Sequence, residues 1–272
     1  MDLLGEFLRH FRVSVEQSSL ETLGYVARAF SRIPYENITK IIKRAEVGSD
    51  EKARRSPQEV ISDHIRWGTG GTCFSLTAAL QRLARGLGLE TEYILADRPY
   101  GQNTHCALQI RIDGNPYLLD PGFLLVDPVP LWKFTRGVIP TSGGLSLKEH
   151  REIATGVGSV LLIPEENGKK LALETVFGGK RVRRFTYKTA PADEGEFLKA
   201  WTASFQWEMM RYLLLTRWTN AGQIYLRGAM LQLRDAKTVN RQNIPEEKLA
   251  ETISNEFHIH PSIVARALSL LR

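Results

Sequence analysis

Residues 104–123 read Thr-His-Cys-Ala-Leu-Gln-Ile-Arg-Ile-Asp-Gly-Asn-Pro-Tyr-Leu-Leu-Asp-Pro-Gly-Phe. Asp113-Gly114 stands between two alternating runs, which is the signal of a two-residue hairpin turn. Such a turn pairs Ile112 with Asn115. Counting back, Ala107 faces Asp120 and His105 faces Gly122. His105 and Asp120 then share a face as diagonal neighbours, with Cβ atoms roughly 7 Å apart. A three-residue loop would put them on opposite faces. The stretch predicts an antiparallel hairpin that carries a histidine and an aspartate within side-chain reach.

Working outward, a period of two extends over residues 91–188. Runs at 93–95, 106–112, 117–119, 160–163, 171–176 and 182–187 read as strands. Asn167-Gly168 and Gly178-Gly179 separate the later ones. This region predicts an antiparallel sheet or small barrel. Before it, residues 1–88 read as helical. Phe7, Leu8 and Phe11 form a first stripe. Ser19 caps a second, with Leu20, Leu23, Ala27 and Phe30, and Pro34 ends it. Residues 43–55 are polar and read as loop. Pro57 opens a helix with Val60, Ile61, His64 and Ile65 inward. Phe74, Leu76, Leu80, Leu83 and Leu87 mark another. In the last stretch, residues 200–218 hold helix-spaced aromatics and a hairpin is expected around Gly228. Helices are expected from Pro245 and Pro261. The predicted organisation is α+β: a helical unit over 1–88, a β-barrel over 89–190, and an α/β unit over 191–272.

The chain has 272 residues, 43% hydrophobic and 24% charged, a globular composition that excludes disordered and collagen-like classes. Two cysteines, Cys73 and Cys106, cannot make a disulfide framework and fit a reducing compartment. Charges interrupt the apolar N-terminal residues, so no signal peptide is expected, nor any membrane span; the default location is the cytoplasm. The net charge of +6 favours anionic partners such as phosphates or a nucleotide-bearing coenzyme. His10, His150, His258 and His260 lack partners at ligand spacing, and no metal is expected. The basic residues Arg54-Arg55 and those at 180–184 are not interleaved with stacking aromatics, so nucleic acid is not expected. They read as solvated surface, with coenzyme phosphates as the sharper alternative.

Cys73 follows Gly70-Gly71-Thr72 where a helical pattern begins. Backbone N–H groups and the helix dipole favour a thiolate at such a position. A lone cysteine is more often core. With His105 and Asp120, however, Cys73 completes the set for nucleophilic catalysis: a thiol, a base for its proton, and a carboxylate that orients the base. Cys106 points to the opposite face from His105 and reads as core. His64 reads as a satisfied core histidine. The aromatics Trp201, Phe205, Trp207, Tyr212 and Trp218 read as packing.

Several motifs resemble those of the arylamine N-acetyltransferases. These are Met1-Asp2-Leu3 with Phe7-Leu8-Arg9, Ser19-Leu20-Glu21-Thr22-Leu23, Ile33-Pro34-Tyr35-Glu36-Asn37-Ile38, Gly70-Gly71-Thr72-Cys73-Phe74, Thr104-His105, and Leu119-Asp120-Pro121-Gly122-Phe123 followed by Pro128-Val129-Pro130-Leu131. The resemblance implies a cysteine-protease-like fold of helical bundle, β-barrel and α/β lid. It implies that Cys73 takes an acetyl group from acetyl-CoA and passes it to an arylamine, hydroxylamine or hydrazine, with His105 as base and Asp120 as its orienter. It places Tyr35, Phe123 and Leu124 at the substrate pocket. The expected partners are thus a small-molecule acyl donor and an amine acceptor. The motifs name no coenzyme-binding residue.

The chain departs from the family at Thr69, which stands where an arginine partner for Glu36 is usual; Arg66 is the substitute expected here. Leu124 replaces a glycine, and its bulk predicts weak acetylation of ordinary arylamines. Two other readings stand beside the coenzyme-dependent acyltransferase. One is a related Cys-His-Asp amide synthase or transglutaminase-like hydrolase with a different acyl donor. The other is a non-catalytic binding protein on the same fold, against which the intact triad argues.

Overall fold

The computed structural model describes residues 2–15, 19–123, 125–131, 140–141, 144–145 and 151–271. The first helices start where short polar side chains can cap them. In α1 (Leu3–Phe11) the Asp2 carboxylate accepts from the amides of Leu4 and Gly5, and in α2 (Leu20–Phe30) Ser19 Oγ accepts from that of Thr22. Strand β1 (Tyr35–Glu36) follows, then α3 (Ile38–Val47). Helix α4 (Pro57–Trp67) opens on a capping box between Ser56 and Glu59. Helix α5 (Cys73–Gly86) buries nearly every residue of its first three turns.

Part of 43–55 is helix, not loop. Lys43 to Val47 continue α3, whose Ile38, Ile41 and Ile42 give one narrow apolar face amid lysines and arginines. That face packs on the far end of the chain, against Leu213, Leu215, Phe257 and Val264. Only a partner more than 170 residues away makes so polar a segment a stable helix.

The large sheet is antiparallel, curled as a half-barrel, and includes β2 (Glu90–Arg98), β3 (Gly101–Ile112), β4 (Asn115–Asp120) and β5 (Leu125–Pro130). It continues from β2 through residues 180–188, 170–177, 158–165 and 151–155. Asp113 and Gly114 both have positive φ, 50° and 74°, as a type I′ turn requires. The resulting ladder pairs Ile112 with Asn115 and Leu108 with Leu119. One face of the sheet is filled by Ile94, Ala107, Leu118, Phe185 and their neighbours. The other face, through Leu108, Ile110 and Leu119, packs on α1, α2, α4 and α5.

A second sheet is built from β1 and the strands Leu214–Thr219, Gly222–Arg227, Met230–Arg234 and Val239–Asn243, in that order. The hairpin around Gly228 is therefore present. The aromatics of 200–218 do not share one helix: Glu194–Ala203 is helical, two short 3₁₀ turns follow, and Trp218 lies on a strand. Pairing of that strand with Tyr35-Glu36 and with 222–227 overrides the helical spacing. The chain ends in the helices Glu246–Phe257 and Pro261–Leu270. Among the described residues, no helix is long and apolar enough to cross a membrane.

Candidate active site

Cys73 is the first residue of α5, and Thr72 precedes it in extended conformation. The approach to the helix is tight. A Cβ at Gly70 would fall on the Pro34 carbonyl oxygen, which is why only glycine fits there. Glu36, fully buried, holds the same turn: its Oε1 accepts from the Gly70 amide at 3.1 Å, while its carboxylate also accepts from Thr39 N (2.9 Å) and Thr39 Oγ1 (2.6 Å). The cation near this network is Arg55, not Arg66. Arg55 is buried, donates to Thr39 Oγ1 at 2.9 Å and to the Gly70 carbonyl, and pairs with Asp63 at 2.6 Å. Arg66 instead stacks on Trp67, with 4.5 Å between guanidinium and ring centre. Arg55 is therefore core; the reading of it as solvated surface was misled by neighbouring charges.

His105 and Asp120 are both shielded completely from solvent. His105 Nε2 donates to Asp120 Oδ2 at 2.6 Å. The same oxygen accepts from the Tyr187 hydroxyl at 2.6 Å, and Oδ1 accepts from the Gly122 amide at 2.9 Å. The imidazole ring lies on Phe185, 4.3 Å between centroids. Burial opposes its positive form, but the Asp120 carboxylate outweighs burial and pushes the imidazole up to about 9. Nδ1 is buried and makes no hydrogen bond of full geometry, and the neighbouring Cys73 helps to hold the imidazole up.

Gly122 marks how closely the two groups converge. A Cβ there would lie 2.9 Å from Cys73 Cβ and 3.2 Å from His105 Cε1. The Cys73 thiol is held well below the usual thiol range. The Cys106 thiol, packed in the same buried cluster, does most of this, against burial, and His105 and Arg98 add to it. Cys106 was expected to be core, and it is buried, with Sγ 3.4 Å from Thr77 Oγ1. Its face of the sheet is also the one on which α5 packs, so it reaches the nucleophile. Burial and the neighbouring Cys73 push the Cys106 thiol well up, so Cys106 stays a neutral thiol beside the nucleophile. Sequence reasoning missed this role because it depends on where the helix docks.

The thiol opens into a cavity of about 1110 Å³, and Tyr35 and Phe123 also line it. Leu124 and His150 lie outside the described residues. Trp207, Tyr212 and Trp218 line the cavity, while Trp201 and Phe205 are core. Among the described residues, the walls also carry six basic side chains, Arg98, Lys180, Arg184, Arg227, Arg234 and Arg241, against one carboxylate, Glu208. The basic run at 180–184 thus divides by strand alternation: Lys180 and Arg184 face the cavity, whereas Arg181 and Arg183 pair with Glu174 and Glu165. His64 is a core histidine. It stacks on Phe11, donates from Nδ1 to the Thr69 carbonyl at 2.9 Å, and is lowered to about 4 by burial. Among the described residues, no group of three or more His, Cys, Asp or Glu side chains is arranged to hold a metal ion.

The sequence profile of the N-acetyltransferase family matches residues 19–264. No curated protein sequence matches significantly. Among solved structures, the arylamine N-acetyltransferase of Mycobacterium abscessus superposes with a TM-score of 0.77 at 16% identity, covering 98% of this chain and 94% of that one. That of Mycobacterium smegmatis gives 0.76 at 20% identity, over 100% and 99% of the two chains. The Mycobacterium marinum enzyme in complex with CoA gives 0.73 at 17% identity, over 98% of each.

Proposed function

Because this chain belongs to the arylamine N-acetyltransferase family, we propose that it moves an acyl group from acetyl-CoA to an arylamine, hydroxylamine or hydrazine through an acyl-Cys73 intermediate. One observation carries the reading: a depressed thiol, a raised imidazole and a buried carboxylate meet at the floor of a cationic cavity. A coenzyme-bound relative of the same fold supports the choice of donor.

In this reading the Cys73 thiolate attacks the thioester carbonyl, and the resulting oxyanion collapses with expulsion of the coenzyme thiolate. His105 gives that leaving sulfur its proton. The amine then attacks the acyl-cysteine, His105 takes the proton the amine loses, and Cys73 departs as thiolate. Asp120 keeps Nε2 of His105 occupied, so that Nδ1 is the atom that exchanges protons with sulfur and amine. Arg184, Arg234 and Arg241 suit the coenzyme phosphates, which such side chains bind by charge-assisted hydrogen bonds. The stretch 1–88 supplies the nucleophile, 89–190 the base and its orienter, and 191–272 the outer wall of the cavity.

Mass spectrometry of the protein mixed with acetyl-CoA tests this. One acetyl group on the Cys73 peptide, discharged on adding an aromatic amine or hydrazine, is the expected result. A thiol that reacts with iodoacetamide but with no coenzyme thioester would favour a different acyl donor.

A further inference from the structure

Arg98 favours the Cys73 thiolate by its charge but takes no part in the bond-making steps just described. It closes β2, where the ladder to β3 is irregular between Ala96 and Arg98, and its side chain lines the cavity together with Cys73 and Tyr35. Such irregularities re-aim side chains beside functional sites. Its guanidinium lies 5.6 Å from the centre of the Phe185 ring, the same ring on which His105 rests. Nη1 donates to the Tyr100 hydroxyl at 3.1 Å, while Nε is shielded from solvent without a partner. Among the described residues no carboxylate forms an ion pair with Arg98. Asp120, the acid nearest the reacting groups, is already occupied by His105, Tyr187 and the Gly122 amide.

We propose that Arg98 is a specificity residue that receives a carboxylate carried by the substrate, either on the acyl group transferred to Cys73 or on the amine that accepts it. The argument rests on the acyl-cysteine reading. Arg98 and Cys73 line the same cavity, and the charge of each favours the ionised form of the other. Acylation turns the Cys73 thiolate into a neutral thioester. A half-buried guanidinium is then left with an unmade hydrogen bond and no counter-charge, an arrangement that costs free energy. A carboxylate beside the thioester restores both, because the planar guanidinium takes a carboxylate through two parallel N–H bonds. The phosphates of a coenzyme thioester are a full pantetheine arm from the reacting sulfur, so a carboxylate carried close to the thioester, and not a phosphate, is the anion assigned to Arg98.

Matched pairs separate the two sources. The donor arm compares succinyl-CoA with butyryl-CoA in the rate of Cys73 acylation. The acceptor arm compares para-aminobenzoate with para-aminobenzamide in discharge of the acetyl-enzyme. A charge-assisted bond to a guanidinium corresponds to roughly a 10- to 100-fold preference for the acid in one arm of the wild type. Arg98→Gln is expected to bring the acid-to-neutral ratio to about one, read at a pH where Cys73 is fully ionised so that the help Arg98 gives the thiolate does not enter, and Arg98→Lys to keep part of the preference, since a point charge replaces the fork. No preference for the acid in either arm of the wild type overturns the proposal. So does a preference that survives in Arg98→Gln, or an equal loss for acid and neutral members. Protection of Cys73 from iodoacetamide by the two para-substituted amines reads the same contact without turnover. If no thioester acylates Cys73, the acyl-enzyme reading falls, while protection by the aminobenzoate in wild type but not in Arg98→Gln would still uphold Arg98. With acylation absent, equal protection by acid and amide leaves no arm in favour of Arg98 and overturns its role as well.

Discussion

Asp120 Oδ2 lies 2.6 Å from His105 Nε2, although their backbones are two positions out of register on neighbouring strands. The diagonal reach is possible because both side chains leave the same face of the β3–β4 ladder. The carboxylate is held from its other side by Tyr187 and the Gly122 amide, so it does not need to move when the imidazole gains or loses its proton. Asp120→Asn removes the charge that lifts His105 to about 9 and can present a donor to Nε2. The folded variant should lose turnover by on the order of 10⁴, the loss seen for the analogous change in a serine triad. Near-wild-type turnover in the folded variant would show that Asp120 does not orient the base.

Cys106→Ala should raise the pH at which Cys73 becomes reactive. The Cys106 thiol beside it is the largest of the influences that favour the thiolate. Iodoacetamide alkylation followed from pH 4 to 9 reads the shift directly. Cys106→Ser, which keeps a donor, should lie between the wild type and the alanine variant. Superimposable profiles for all three would remove Cys106 from the site.

Gly122→Ala should fold and lose activity. The added methyl would meet Cys73 Cβ at 2.9 Å and His105 Cε1 at 3.2 Å. Neither neighbour is the free end of a flexible side chain, so the thiol and imidazole must part. A displacement approaching 1 Å at reacting groups costs about 10² in rate. The kcat/KM ratio and the melting temperature, measured together, distinguish this from loss of fold.

His64 should make the protein acid-sensitive. Burial lowers its folded value to about 4 from an ordinary 6.5, so the unfolded chain binds the extra proton between those limits. Stability is therefore full above pH 6.5 and falls as pH drops toward 4, by roughly 3 kcal/mol if the whole shift is expressed. His64→Phe keeps the stack on Phe11 and removes the titrating group. Its urea-unfolding free energy should vary less over that window, and an unchanged slope would mean that other groups carry the acid response.

Arg55→Met should destabilise the fold by about 2 kcal/mol, the cost of leaving the buried Gly70 carbonyl and Thr39 hydroxyl without their donor, because Asp63 is partly exposed and can turn to water. Arg55 holds the Gly70 carbonyl, Thr39 and Asp63 at once, directly beneath the turn that presents Cys73. Chemical denaturation measures the loss. Arg66→Met, by contrast, should remain within about 0.5 kcal/mol of wild type, as expected of a surface residue.

The hairpin register was legible because it is local. A two-residue Asp-Gly loop admits essentially one geometry, and the period-two side-chain pattern then fixes which residues share a face. The capped helices, the strand runs and the start of α5 at Cys73 follow from equally short-range rules. What only the tertiary structure decided are the relationships between segments far apart in the chain. The narrow apolar face of α3 gains its stability from the C-terminal helices. Tyr35-Glu36 becomes a strand by pairing with Leu215 and Thr216. Arg55 is core because Thr39, the Gly70 carbonyl and Asp63 gather around it, whereas its neighbours in sequence suggest solvent. Cys106 reaches Cys73 only because α5 docks on the even-numbered face of β3. Charge and hydrogen bonding act across space, so a residue's role in the site is set by its neighbours in three dimensions, and periodicity along the chain carries no record of them.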